Sequence, residues 1–116
     1  MNAPATPSLA DIVQAQFEAY NAQDLDAYCG FFADDVVVAD FNGAVTTQGL
    51  AAYRERYAGV FAQFPNNRAD LLARMVVGNT VIDHERVDRG TDAPTFEVAC
   101  IYTFAGGKIA RVDFAK

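Results

Sequence analysis

Asp40 is the residue whose position in this sequence most suggests chemistry. It ends the apolar run of the stretch FADDVVVADFNG, in which three valines predict a buried strand and Asn42-Gly43 predicts a tight turn. An acid at this point either bonds to the backbone of the turn or points into the interior. Strand periodicity favours the interior, because Val36, Val38 and Asp40 lie on one face. A buried carboxylate is expected to have a raised pKa, which suits a general base near neutral pH.

His84 is the second candidate for acid-base chemistry. It is the only histidine and lies in the polar centre of a strand predicted over residues 80–88. An imidazole that titrates near neutral pH could work with Asp40 as acid and base. The alternative, which we favour for both His84 and Glu85, is a solvated or dimer-facing cross-strand network of charged side chains. The two residues lie on opposite faces of the strand, and the sequence does not decide which face lines a pocket.

Four residues of the predicted helices are candidates for contact with a ligand: Gln16, Tyr20, Tyr57 and Phe61. Gln16 lies on an otherwise apolar stripe of the first helix, and its alternative is a position on the helix flank that reaches solvent. Tyr20 and Tyr57 are expected to be core residues whose hydroxyl groups find a partner, with pocket lining as the alternative. Phe61 shares the stripe of the third helix with Tyr57.

Val98, Cys100 and Tyr102 alternate along one face of a later strand. Such a stripe predicts core packing against the helices, and in a barrel the same face also lines the pocket. Cys29 and Cys100 lack CxxC spacing, so they are expected to be buried free thiols. A metal site is not expected, because one histidine with scattered carboxylates lacks the ligand number and spacing of a zinc or iron centre.

The spacing of apolar residues predicts helices first and a sheet afterwards. Helices are predicted from the Ser8 cap to about residue 21, from the Asp24 cap through Phe32 to near residues 34–35, and from about residue 49 to residue 64. Strands are predicted over residues 36–40, 45–47, 69–77, 80–88, 94–104 and 109–114, and the last four form an antiparallel meander. This order is typical of the α+β class, with helices packed on one face of a curved sheet.

The length of 116 residues fits one domain, residues 8–116, preceded by a loose N-terminal arm over residues 1–7. The formal charge of −6 disfavours nucleic acid as a partner. The N-terminal residues lack the pattern of a signal peptide, and no apolar run is long enough for a membrane span, so we expect no membrane association and a cytoplasmic location.

The order of elements and the segment FADDVVVAD resemble the NTF2-like superfamily, in its SnoaL-like and ketosteroid-isomerase-like branch. The resemblance covers roughly residues 8 to 115, and the segment is similar to the Y/F-A-D-D-A-x-V-x-D run of ketosteroid isomerases. It implies a cone-shaped (cystatin-like) α+β barrel, with three N-terminal helices on a curved, mostly antiparallel sheet around one deep apolar pocket. Asp40 falls on the position of the family's proton-shuttling base.

The resemblance also shows two departures from the ketosteroid isomerases. In those enzymes the Asp base works with an oxyanion hole made of a Tyr and a protonated Asp. The Tyr position corresponds to Gln16 here, and the protonated Asp position falls near Cys100. Because an amide and a thiol are weaker donors than those groups, steroid isomerisation in its usual form is not expected. His84 and Asp40 resemble instead the His and Asp of SnoaL-like cyclases.

Two functions fit these observations. The first is a SnoaL-like isomerase, cyclase or hydratase that binds a small apolar carbonyl compound, with Asp40 as general base and Gln16, Tyr57 or His84 stabilising the developing charge. The second is a non-catalytic ligand-binding or association module, because the fold alone does not confer chemistry.

No cofactor is expected, because no motif in the sequence requires one, and the lack of a glycine-rich phosphate loop disfavours a nucleotide. A homodimer is expected, because dimers are common in the family that the sequence resembles. The predicted interface is the outer sheet face, where Ile101 and Thr103 lie opposite the core stripe and leave partly apolar surface.

Overall fold

The computed structural model describes residues 7–116, which form three helices and one six-stranded sheet. The elements are α1 (Leu9–Ala22), α2 (Leu25–Cys29), β1 (Phe32–Asp40), β2 (Val45–Gln48), α3 (Leu50–Gln63), β3 (Arg68–Val77), β4 (Thr80–Asp88), β5 (Phe96–Ala105) and β6 (Lys108–Ala115). The α+β class is confirmed. The predicted arm over residues 1–7 lies, except for Pro7, outside the described residues. In the described part, no helix is long and apolar enough to cross a membrane.

The strand order of the sheet is β2-β1-β6-β5-β4-β3. β1 runs parallel to β6, and every other neighbouring pair is antiparallel. The predicted meander of the last four strands is therefore confirmed. It places β4 and β5 side by side, with Glu85 opposite Val98 and Asp83 opposite Cys100.

Two side-chain caps decide where the first helices begin. The Ser8 hydroxyl accepts a hydrogen bond from the Asp11 backbone N–H at 3.1 Å, and the Asp11 carboxylate accepts one from the Ser8 N–H at 3.3 Å. The Asp24 carboxylate accepts a hydrogen bond from the Ala27 N–H at 3.1 Å. Both caps predicted from the sequence are confirmed, because this chemistry is local to the chain.

The second helix is shorter than predicted. α2 ends at Cys29, and Phe32 already belongs to β1, where it lies opposite Ile109 of β6. The Ile109 N–H also donates to the Phe31 carbonyl oxygen at 3.0 Å. The prediction of a helix through Phe32 is wrong because pairing with a distant strand overrides the helical spacing of the sequence.

An irregularity in β1 decides where Asp40 points. The pairing register with β2 shifts between Val38 and Ala39, and both residues are fully buried. Two successive inward residues break the alternation of a strand, so the next residue, Asp40, is exposed. The prediction that Asp40 shares the inward face of Val36 and Val38 is therefore wrong.

Aromatic side chains from the helices and β1 form much of the core. Tyr28, Tyr53 and Phe32 pack with ring centroids 4.5–5.9 Å apart. The hydroxyl groups of Tyr28 and Tyr53 share a hydrogen bond of 2.5 Å. Burial raises the pKa of both hydroxyls well above the ordinary value, so these polar atoms stay neutral within the core.

Replacing the first cap tests this account of α1. Ser8→Ala removes the acceptor for the Asp11 N–H and should lower the free energy of unfolding by about 1 kcal/mol, measured by urea denaturation. Ser8→Thr keeps a hydroxyl and is expected to stay close to the wild-type value. Equal unfolding free energies for Ser8→Ala and wild type would show that the cap does not stabilise the fold.

Candidate functional site

One cavity lies between the helices and the inner face of the sheet. Its volume is about 90 Å³, several times the space that one water molecule requires. Six of the residues predicted to contact a ligand line it: Gln16, Tyr20, Tyr57, Val98, Cys100 and Tyr102. The structure therefore brings together side chains from α1, α3 and β5.

Three predicted site residues lie outside this cavity. Asp40 is exposed at the end of β1, where its backbone closes the turn by accepting from the Gly43 N–H at 2.8 Å. His84 is exposed on the outer face of β4 and bonds to Glu97. Phe61 is buried in the aromatic cluster. Asp40 and His84 are thus not adjacent members of one acid-base pair at the cavity.

Glu85 is the titratable side chain that the fold brings into the cavity. It lies on the inner face of β4 and is 6% exposed. Its Oε2 atom is buried and has no hydrogen-bond partner among the described residues. Burial, and after it the negative charge of Asp83, raises the pKa of Glu85 to about 7. The carboxyl group is therefore populated in both protonation states near neutral pH.

Asp83 lies two residues earlier on the same face and is fully buried, but its charge is compensated. Arg74 of β3 donates to both carboxylate oxygens, at 2.7 Å and 2.9 Å. A third Arg74 donor bonds to the Gln14 side-chain oxygen at 2.9 Å. This bidentate geometry is the strong form of an ion pair. Asp83 therefore stabilises the sheet through its ion pair with Arg74, whereas Glu85 faces the cavity.

Hydrogen-bond donors surround the inner part of the cavity. Gln16 is 2% exposed and uses one amide N–H on the Val13 carbonyl oxygen at 3.2 Å, which leaves a second N–H. The predicted alternative of a solvent-facing Gln16 is wrong. Burial raises the pKa of Tyr57 to about 12 and that of Tyr102 well above its usual range. Both hydroxyls therefore remain protonated and able to donate.

The exposed end of the cavity, which we call the mouth, is lined by Arg56, Arg89 and Lys116. Asn67, which is 4% exposed, links one of these cations to the wall of the cavity. Its amide nitrogen donates to the Tyr20 hydroxyl at 2.8 Å, and its oxygen accepts from Arg89 at 3.0 Å. The cavity thus combines a buried acid with a cationic entrance.

Sequence reasoning missed Glu85 for an identifiable reason. Val81, Asp83, Glu85 and Val87 share a face, and the two flanking valines are the signal that this face is buried. The opposite face of β4 also starts with an apolar residue and carries His84, so the pattern alone left both choices open.

The groups at the cavity suit proton transfer. Glu85 can accept or donate a proton. The amide of Gln16 and the hydroxyls of Tyr57 and Tyr102 are hydrogen-bond donors that can bind an oxygen atom that gains negative charge. Among residues 7–116, no group of three or more His, Cys, Asp or Glu side chains could bind a metal ion.

Comparison with known proteins identifies the family. Residues 13–112 match the model of the SnoaL-like domain. This chain therefore belongs to the SnoaL-like family, within the NTF2-like fold, as the sequence predicts. A comparison with curated proteins finds no match.

Solved structures agree with this assignment. An uncharacterised cystatin-fold protein from Novosphingobium aromaticivorans is 35% identical with a TM-score of 0.90, over 96% of this chain and 100% of that one. A proposed polyketide cyclase from Sinorhizobium meliloti is 28% identical with a TM-score of 0.78, over 90% and 93%. A SnoaL-like protein from Burkholderia thailandensis, at 17% identity and a TM-score of 0.78 over 96% and 97%, shares the fold.

The raised pKa of Glu85 predicts a pH-dependent stability. Between its ordinary value of 4.5 and its folded value of about 7, the folded state binds more protons than the unfolded state, so stability falls as the pH rises. The full loss is on the order of 3 kcal/mol. Glu85→Gln should remove this pH dependence. The free energy of unfolding of the variant should therefore increase relative to that of wild type as the pH rises from about 4.5 to about 8, measured by urea denaturation.

Glu55→Gln is the matched control, because Glu55 is an exposed residue of α3 and loses the same charge. Its unfolding free energy should follow that of wild type at each pH. If Glu85→Gln and Glu55→Gln behave alike, Glu85 is not desolvated in the folded protein.

Proposed function

We propose that this protein is a proton-transfer enzyme that binds a small, largely apolar carbonyl compound in the cavity, with Glu85 as the general base and acid. The observation that carries this proposal is the unpartnered Oε2 atom of Glu85 in a desolvated cavity. Burial of a carboxylate oxygen without a partner destabilises the folded state. Such a group is therefore a candidate for binding a ligand or transferring a proton.

The proposed step is the transfer of a proton from carbon. Ionised Glu85 takes a proton from the carbon beside the carbonyl group, the C–H bond breaks, and its electron pair moves onto the carbonyl oxygen as an enolate. Glu85 then returns the proton to the same carbon or to another one, which restores the carboxylate. A pKa of about 7 suits both halves of this cycle near neutral pH.

The enolate oxygen needs donors, and the cavity offers two kinds. Tyr57 contributes a hydroxyl that burial keeps protonated, and Gln16 contributes an amide N–H. Both are neutral, so they bind an anionic oxygen without first losing a proton. In this proposal they take the place of the Tyr and protonated Asp pair of ketosteroid isomerases.

The S. meliloti relative supports this class of substrate. It is a proposed polyketide cyclase with 28% identity over most of both chains. Polyketides carry several carbonyl groups, whose neighbouring C–H bonds are the acidic ones. We also propose that the barrel is cone-shaped and that the protein forms a homodimer. Both features are implied by the resemblance to the NTF2-like superfamily.

Deuterium exchange tests the proposal without knowledge of the natural product. The wild-type protein should accelerate exchange at the carbon beside the carbonyl of 2-tetralone in D₂O, followed by proton NMR. The rate should rise with pH and level off above about pH 7, as Glu85 ionises. Glu85→Gln should lower the rate at least about a hundredfold.

Asp40→Asn is the informative control, because Asp40 is exposed outside the cavity. It should leave the exchange rate unchanged. Full activity of a folded Glu85→Gln variant would remove Glu85 from the mechanism. Binding of 2-tetralone by wild type without any exchange would favour the second candidate, a non-catalytic binding module.

A further inference from the structure

The mouth of the cavity carries two arginines that form no ion pair with a carboxylate of the described residues. Arg56 and Arg89 line it, and neither belongs to any of the ion pairs among residues 7–116. This is unexpected in a chain with a formal charge of −6, where acids outnumber bases. Acidic residues are thus plentiful in this chain, yet none forms an ion pair with either arginine of the mouth.

Arg89 is positioned by several contacts. Its guanidinium carbon lies 5.0 Å from the ring centroid of Phe64 and 5.2 Å from that of Phe96. One N–H donates to the buried Asn67. A guanidinium has five N–H donors in a planar fork, so the bond to Asn67 leaves donors to which a planar anion can bind.

Gly90 fixes the backbone beside Arg89. It has a φ of +71°, and a Cβ atom there would lie 2.6 Å from the Cβ of Asn66. Only glycine therefore allows this close approach between the loop after β4 and the turn after α3. The approach of Gly90 to Asn66 positions the backbone next to Arg89, and the hydrogen bond to Asn67 positions its side chain.

Arg56 is oriented on the other side of the mouth. It donates to the Thr47 hydroxyl at 3.0 Å, and its guanidinium carbon lies 5.6 Å and 5.7 Å from the ring centroids of Tyr57 and Phe114. Hydroxyl and aromatic contacts orient a cation without cancelling its charge. Both arginines therefore present full positive charge to a ligand that enters.

We propose that the ligand of this cavity is a carboxylate, whose anionic group is bound by Arg89 and Arg56 at the mouth while its apolar body extends inward to Glu85. This inference rests on the proposed function, since it specifies the substrate class of the same site. Bidentate pairing with arginine is the geometry that a carboxylate prefers.

The strand geometry separates this anion site from the acid. Glu85 and Asp88 lie on β4, and a rise of roughly 3.3 Å per residue puts their Cα atoms roughly 10 Å apart, with Arg89 next along the chain. Aromatic and apolar side chains, among them Phe96 and Val98, line the space between. In this proposal the anionic group binds beyond the end of β4, on the side of Glu85 towards Arg89.

Paired probes test this selectivity. Each carboxylate is compared with its uncharged amide: benzoate with benzamide, cinnamate with cinnamamide, and 2-naphthoate with 2-naphthamide. Calorimetry at low ionic strength should show that the carboxylate of the best-fitting pair binds about tenfold more tightly or better. Added salt should reduce this preference, because it screens the partly exposed charges.

Variants assign the preference to residues. Arg89→Gln should reduce carboxylate affinity about tenfold and leave amide affinity within about twofold, and Arg56→Gln should have a smaller effect in the same direction because Arg56 is more exposed. Arg86→Gln, on the outer face of β4, is the matched control and should change neither affinity.

The outcomes separate the two proposals. Equal binding of carboxylate and amide would overturn the anion site and leave the proton-transfer proposal to the exchange assay. A carboxylate preference that both arginine variants retain would also overturn it. Failure of all three carboxylates to bind would overturn the anion site as well, while the exchange of 2-tetralone still decides the proton-transfer proposal.

Discussion

The burial of two carboxylates on the inner face of β4 is the constraint on which this structure depends. A buried charge is costly unless it is paired, and the fold treats the two acids differently. Asp83 accepts hydrogen bonds from two donors of Arg74, and this ion pair joins β3 to β4. Glu85 receives no such partner on Oε2, and the nearby charge of Asp83 raises its pKa further. The charge of Asp83 thus adds to the effect of burial on the pKa of Glu85.

The surrounding elements make this arrangement possible. The meander places β5 beside β4, so that Val98 lies opposite Glu85 on the neighbouring strand. The helices supply tyrosines, among which Tyr28 and Tyr53 bond to one another and remain protonated, so the aromatic core adds no charge to the interior. At the mouth, the residues that line the cavity include the cationic side chains of Arg56 and Arg89. A ligand would therefore pass from an anion-binding entrance to an apolar interior with one titratable group.

The sequence predicted what depends on neighbouring residues and missed what depends on distant pairing. The caps at Ser8 and Asp24 follow from local chemistry and are confirmed. The inward direction of Asp40 was wrong, because the irregular pairing of β1 with β2 changes its face. Glu85 was set aside because the inner face of β4 is chosen by packing against the helices, which period-two spacing cannot reveal.

The most direct test of this account is the pKa of Glu85 in the folded protein. It can be measured by a carboxyl-resolved NMR titration, with Glu85→Gln to assign the resonance. The account predicts a value of about 7, because the carboxyl group is desolvated beside a negative charge. A value near the ordinary 4.5 would mean that Glu85 is solvated or paired, and would contradict its role as the acid-base group of the cavity.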